Sequence, residues 1–303
     1  MERTQTATFV VLGPLNGGRG TTQPSATYLL EKRVLQGTYR ATDRRAQQVM
    51  RQVGAIGGSY PAPVRAHARE EITAIKALPS LRRAATATQL AGLSVIGEYT
   101  SVIQDVLGFT VGPALPGDDP GLVRTVRALS LASRIKEEES SQAAILTSGL
   151  SSDLVGQGSF GASSLAAITS SMARQRTYGQ EFAAEATAAQ VQQYDSVLSE
   201  APVERASAEE QVAVTTASGS GTSAGPTIAD ASTGLGYQFN GLRAMEIKLS
   251  SSATAQAASR HGAAEASVAV FGALLLILVL LVAAVFLLPR LPQRRDPGLR
   301  SQE

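Results

Sequence analysis

Arg19 is the residue whose surroundings in the sequence best suit a small ligand. It lies in Gly17-Gly18-Arg19-Gly20-Thr21-Thr22, directly ahead of a predicted helix. Free backbone N–H groups at a helix N-terminus, two threonine hydroxyls and a guanidinium together favour the binding of a small oxyanion. An ordinary arginine in a surface turn is the alternative interpretation, because arginine is a common surface residue.

Three other patterns resemble catalytic motifs, and we interpret none of them as a catalytic site. Residues 156–161 read G-x-G-x-x-G, but a helix is predicted before them where a dinucleotide site requires a strand, so we predict an interhelix loop. Residues 221–225 read G-x-S-x-G within a low-complexity stretch, with no elbow between a strand and a helix. Adjacent carboxylates at Glu137, Glu138 and Glu139 point in different directions on a helix, so we predict a solvated helix face.

Composition excludes several classes of function. The chain has no cysteine, and His67 and His261 are too few and too far apart for a histidine metal cluster. A net charge of +2 gives no indication of nucleic-acid binding. We therefore predict no enzyme activity, no metal, no cofactor and no nucleic-acid partner.

Residues 268–288 predict a transmembrane helix. They read VAVFGALLLILVLLVAAVFLL without a charged residue, and a helix of this length spans about 31 Å, close to a bilayer's hydrocarbon thickness. The following arginines predict a cytoplasmic tail at 289–303 and place the bulk of the chain outside the cytoplasm.

That topology requires a way for the N-terminal part to cross the membrane. Residues 1–15 contain no segment long enough for the apolar region of a signal peptide. We expect the true start, with a first transmembrane helix, to lie upstream. A tail-anchored protein with its bulk in the cytoplasm is the alternative, and it would have to pass four arginines through the membrane.

Apolar residues recur at helical spacing, which predicts an all-α fold with no strands. The apolar stripes expected to face inward include Val49 and Val53, Ile72 and Ile75, Ile96 and Tyr99, and Leu242, Met245 and Leu249. We divide the chain into a helical sensor domain at 1–212, a low-complexity linker at 213–236 and a stalk helix at 237–267 that continues into the membrane helix. Within the long helices we expect Gly149 to act as a C-cap and Gly179 to cause a kink. The predicted helices are one through 28–30, then 42–56, 64–78, 80–91, 94–107, 121–148, 163–199 and 237–264.

Five short motifs follow one another along the chain. They are LGPLNGGRGTTQPSATYL at 12–29, YRATD at 39–43, LPSLRR at 78–83, EYT at 98–100 and IKEEESSQAAIL at 135–146. In this order they resemble the nitrate- and nitrite-sensing domain of bacterial receptors, including actinobacterial sensor histidine kinases. The resemblance covers about residues 12–212. It implies two packed four-helix bundles with nitrate or nitrite bound between helices, in a domain outside the membrane.

The resemblance also implies two anion-binding arginines. The first belongs to a Glu-Arg-x-x-Thr/Ser motif, onto which Arg19 falls, with Thr21 and Thr22 nearby and Gly18 in the place of the glutamate. The second position is occupied by Ala143, and Arg134 lies about 14 Å away along the same predicted helix. Loss of one guanidinium predicts weaker nitrate binding.

We therefore expect a membrane-anchored, extracytoplasmic sensor domain that binds a small anion and has no kinase module of its own. A homodimer formed through the stalk and a partner kinase are expected by analogy with receptors. The alternative is a ligand-free helical interaction or scaffold protein tethered to the membrane, which the alanine at position 143 favours.

Overall fold

The computed structural model describes residues 2–12, 26–58, 60–87, 91–108, 119–154, 161–205, 207–208 and 228–259. Within these ranges the chain is α-helical and contains no strand, which confirms the all-α part of the predicted fold class. A short helical segment at 201–205 lies between the last two helices named here. The helices are α1 (Glu2–Leu12), α2 (Ala26–Val53), α3 (Ala62–Ala87), α4 (Gly92–Gly108), α5 (Pro120–Leu154), α6 (Ala162–Glu185), α7 (Ala188–Leu198) and α8 (Ile228–Ser259).

The long helix α5 contributes to two separate hydrophobic cores. Its first half, including Leu129 and Ile135, packs with Phe182 of α6, Val197 of α7 and the apolar face of α8. Its second half packs with α1, α3, α4 and the start of α6 in a core whose buried members are Ala7, Ala85, Val95, Ile96, Tyr99, Ala144, Ile145, Leu146 and Ile168. Polar residues lie between the two halves, and they form the site described below.

A third core joins α2, α3 and α4. Val49 and Val53 of α2 and Ile75 of α3 are buried in it, at 1, 1 and 7 % exposure. These residues belong to the stripes that the sequence predicts to face inward. The stripes are therefore confirmed, although the helices that carry them are longer than predicted.

Two predicted helix boundaries are wrong in this region. The helix predicted to start at Thr42 begins at Ala26, and α3 continues through Pro79, where the sequence suggested a break. Proline removes one backbone hydrogen bond, but α3 buries Ile75 in one core and Ala85 in another. Packing on both sides of Pro79 outweighs the lost hydrogen bond.

The predicted helix at 163–199 is two helices. The break lies at Ala186 and Thr187, where the Thr187 side chain caps α7 and Gln190 completes a capping box. Gly179, the predicted kink, lies inside α6 and lets the Tyr194 hydroxyl approach, since a Cβ there would lie 3.2 Å from it. Gly149, the predicted C-cap, lies inside α5, whose packing against α1 and α6 extends the helix to Leu154.

The first and last described helices differ from the predicted ones. α1 was not predicted, because eleven residues carry little periodic signal. α8 begins at Ile228, inside the stretch predicted as linker, since its alanine-containing start is compatible with a helix. Leu242, Met245 and Leu249 are buried against α5, so the predicted stalk is part of the domain's core over this range.

No helix within the described ranges is long and apolar enough to span a bilayer. The predicted membrane helix at 268–288 lies outside those ranges, as does the tail at 289–303.

Candidate functional site

Lys136, Glu137, Glu138 and Glu139 are consecutive on α5 and are all buried, with exposures of 4, 6, 2 and 2 %. Successive side chains on an α-helix point about 100° apart, so four in a row face nearly every direction around the axis. Burial on all sides means that α5 is enclosed here by other helices. The solvated face predicted for the three glutamates is therefore wrong, because their partners are brought in from distant parts of the chain.

Each of these four side chains has its own partner. Lys136 pairs with Glu246 of α8, and Glu137 pairs with Arg3 of α1. Glu138 accepts hydrogen bonds from Arg174 and Ser171 of α6 at 2.7–2.9 Å, and Glu139 accepts one from Gln175 at 2.8 Å. The partners are Glu246, Arg3, Arg174, Ser171 and Gln175.

Arg3 has the least complete set of contacts among these groups. Its guanidinium is 2 % exposed, and Nη1 donates to Glu137 and, at 2.8 Å, to Thr100 of α4. Nε and Nη2 are buried and have no hydrogen-bond partner among the described residues. Leaving buried donors unpaired is costly, so this guanidinium has unused capacity to bind an acceptor such as an oxyanion.

Hydroxyl groups surround the same end of α1. Thr6 lies 3.1 Å from the Tyr39 hydroxyl and 3.3 Å from the Tyr99 hydroxyl, and Tyr99 donates to Glu2 at 2.9 Å. Burial raises the pKa of Tyr99, and the nearby Glu2 carboxylate raises it further. Tyr99 is therefore a neutral hydrogen-bond donor at physiological pH.

Arg82 of α3 holds α1 in place. Its Nε and Nη2 donate to the two carboxylate oxygens of Glu2 at 2.8 and 2.9 Å, and its Nη1 donates to Asp43 at 2.6 Å. The guanidinium also lies 4.5 Å from the centre of the Tyr39 ring. Glu2 precedes Arg3, so this bidentate contact fixes the position from which Arg3 enters the interior.

The electrostatic balance at Glu137 favours its neutral form more than in water. Burial raises the pKa of the Glu137 carboxyl, Arg3 lowers it, and neighbouring Glu138 raises it, with a net increase. The pKa of this carboxyl is raised even though it is paired with a guanidinium. It should therefore take up a proton readily when another anion approaches.

The predicted site residues Arg19, Thr21 and Thr22 lie outside the described residues. Ala143, which occupies the second predicted arginine position, is half-buried on α5 and packs beside the core that contains Ile145. The structure therefore brings none of the three predicted ligands to a described site, and they stay a prediction.

Sequence reasoning missed Arg3, although a signal was present. Glu2-Arg3-Thr4-Gln5-Thr6 matches the Glu-Arg-x-x-Thr pattern at every defined position, whereas Arg19 follows a glycine. A literal search for the pattern would have selected Arg3. Its pairing with Glu137 had no local signal, because the two residues are 134 positions apart.

Within the part of the chain that the structure describes, the site is thus a buried arginine with two unpaired nitrogen atoms, enclosed by helices. The family model described as nitrate and nitrite sensing matches residues 1–254, so the chain belongs to that family. The match includes α1 and most of α8, beyond the 12–212 range of the resemblance. This domain is a sensor module of signalling proteins and is not itself catalytic. None of the curated proteins or solved structures compared with the chain matches it.

Proposed function

We propose that this chain is the extracytoplasmic sensor of a signal-transduction receptor and that it binds nitrate or nitrite at Arg3. The observation that supports this proposal best is the Arg3 guanidinium, which is 2 % exposed and has two nitrogen atoms without a hydrogen-bond partner in the described ranges. A planar oxyanion matches the planar fork of a guanidinium and would satisfy those donors. Thr100 supplies a hydroxyl group 2.8 Å from Nη1 of the same guanidinium.

Anchoring and output follow from the remaining segments. Residues 268–288 attach the sensor to the cell membrane, and the arginine-bearing tail lies in the cytoplasm. A partner kinase receives the signal, with the chain acting as a homodimer. α8 is the route towards the membrane segment, because it packs on α5 and precedes that segment in the chain.

Calorimetric titration of the purified full-length chain in detergent with sodium nitrate and sodium nitrite tests the proposal. Arg3→Ala should weaken binding by about tenfold or more, since a charge-assisted contact contributes roughly 1.5–3 kcal/mol. Arg69→Ala, which removes an exposed arginine of α3, is the control and should bind like the parent. Arg19→Ala separates the two arginines: loss of binding there but not in Arg3→Ala would assign the site to Arg19.

A ligand-free interaction protein is the second candidate function. Two observations favour it: Glu137 already neutralises Arg3, and Ala143 stands where the family resemblance places the second arginine. Under this alternative no variant or parent would respond to millimolar nitrate, and a partner protein would be retained by the ligand-free chain.

A further inference from the structure

The contact between Arg3 and Glu137 occupies part of the guanidinium that the proposed function assigns to the ligand. Nη1 of Arg3 donates to the Glu137 carboxylate, and only Nε and Nη2 lack partners. The two side chains are 2 and 7 % exposed, so neither exchanges its partner for bulk water. An incoming oxyanion therefore meets an anion that is already bound.

Two anions beside one buried guanidinium repel each other strongly, because little water screens them. When the ligand binds, the Glu137 carboxylate must therefore either move away from Arg3 while it is still charged or be protonated where it stands. Leaving as a charged group is unfavourable, because a buried carboxylate without a partner is costly. Protonation removes the charge without moving the backbone.

The groups around Glu137 support this outcome. α1 contributes Arg3 and the more distant Glu2, while α3 contributes Arg82, which is already bound to Glu2 and Asp43. α4 contributes the uncharged Thr100 and Tyr99 hydroxyls. On α5 itself, Lys136 is paired with Glu246 of α8, and Glu138 is paired with Arg174 of α6. The side-chain cations named here other than Arg3 are thus paired with other carboxylates, while the chain's amino group, like Arg3, lowers the pKa of Glu137.

We propose that Glu137 is an internal competitor for Arg3, and that a monoanion binds by displacing its charge as one proton from solvent enters the Glu137 carboxyl. This inference rests on the proposed function, since it concerns the same arginine. The only covalent change is this proton transfer: the bond that held the proton on hydronium or a buffer acid breaks, and an O–H bond forms on the Glu137 carboxyl. The buried charge stays balanced, with the ligand's single negative charge in the place of the carboxylate's. A doubly charged anion such as sulfate leaves one excess charge and is disfavoured.

Proton uptake makes the affinity depend on pH. Where Glu137 is ionised in the free protein and protonated in the complex, the dissociation constant for nitrate rises about tenfold per pH unit. Nitrate itself does not titrate in the physiological range, so the dependence reports on the protein.

Calorimetry on the full-length chain in detergent measures this directly. Nitrate is titrated at several pH values between about 5.5 and 8, each in two buffers with different ionisation enthalpies, which counts the protons taken up. The expected result is uptake approaching one proton at the higher pH values, and weaker binding as the pH rises. Glu137→Gln should abolish both effects and bind nitrate at least tenfold more tightly than the parent at pH 8.

Glu185→Gln is the matched control, because Glu185 also pairs with an arginine, Arg127, but at the surface and 3.4 Å away. It should keep the parent's pH dependence. If Glu137→Gln does not fold, the proton count on the parent still decides the question. Nitrate binding to the parent without proton uptake, or proton uptake retained in Glu137→Gln, overturns this inference and leaves the proposed function intact. No nitrate binding by any of these proteins at any pH overturns both.

Discussion

Lys136 and Glu246 are 110 residues apart in the chain and form an ion pair whose side chains are only 5 and 0 % exposed. The pair joins α5 to α8, the helix that precedes the predicted membrane segment. The Lys136 ammonium also lies 5.8 Å from the ring of Phe239 on α8. The Lys136–Glu246 pair is therefore a buried polar contact that, together with the hydrogen bond from Thr125 of α5 to Gln256 of α8, fixes how α8 lies on α5.

Removing one partner of this pair should destabilise the domain strongly. Lys136→Met leaves the Glu246 carboxylate buried without its cation, a loss of roughly 3–5 kcal/mol of unfolding free energy. The double variant Lys136→Met/Glu246→Leu replaces the pair by apolar groups and should recover most of that loss. Denaturant unfolding followed by circular dichroism measures the three proteins, and a double variant as unstable as the single one would contradict the prediction.

Glu71 should make the stability of the domain fall as pH rises. It is 1 % exposed, and neither carboxyl oxygen has a hydrogen-bond partner in the part of the chain that the structure describes. Burial raises its pKa from 4.5 to about 8. Between these values the folded state binds the proton more tightly than the unfolded state. The stabilising contribution of the protonated Glu71 carboxyl is therefore fully present below about pH 4.5 and is lost as the pH rises towards 8.

Between pH 5 and pH 7 the ionisation of Glu71 should lower the free energy of unfolding by roughly 2–3 kcal/mol. Glu71→Gln cannot ionise, so its unfolding free energy should fall less steeply over the same range. The measurement is the difference between parent and variant in denaturant midpoints at matched pH values. Equal slopes for the two proteins would show that Glu71 is not the titrating group.

Gly241 of α8 should resist substitution because of Val197 of α7. A Cβ at position 241 would lie 2.5 Å from the Cγ1 atom of Val197. Gly241→Ala should therefore lower stability by roughly 1–2 kcal/mol, despite the better helix propensity of alanine. In a Val197→Ala background the same change should become stabilising, which a double-mutant cycle from thermal unfolding would detect.

Gly97 is the matched control for this prediction. It is an exposed helical glycine on α4, with no atom within 4 Å of an added Cβ. Gly97→Ala should therefore raise stability by roughly 0.5–1 kcal/mol in either background. If Gly97→Ala and Gly241→Ala behave alike, steric contact with Val197 does not explain the glycine at 241.

The absence of cysteine from the chain makes the proposed topology directly testable. Ser196→Cys places a thiol on the exposed surface of α7, and Ser301→Cys places one in the predicted tail. A membrane-impermeant maleimide added to intact cells should label the first variant, and should label the second only after permeabilisation. The reverse pattern would place the sensor in the cytoplasm and exclude an extracytoplasmic role.

Helix positions could be predicted where the apolar spacing is regular. The stripes through Val49 and Val53, through Ile96 and Tyr99, and along α8 all face cores as expected. The boundary at Thr187 was also readable, because Thr187 and Gln190 have capping-box spacing. These signals are local, so a single sequence contains them.

The polar interior could not be predicted in the same way. A run such as Lys136 to Glu139 is typical of a solvated helix face when only neighbours in sequence are considered. Its burial depends on partners such as Arg3 and Glu246, more than 100 positions away. A literal motif search would have found Arg3, but no local pattern identifies Glu137 as its partner.

The four consecutive buried side chains on α5 also restrict how the length of this helix can change during evolution. Inserting or deleting a single residue on one side of Lys136 would turn everything beyond it by about 100° and shift it by 1.5 Å. Each side chain would then face the helix that partners its neighbour, and glutamates would meet glutamates. Substitutions at these positions can be compensated one pair at a time, but a change of register breaks all the pairs together.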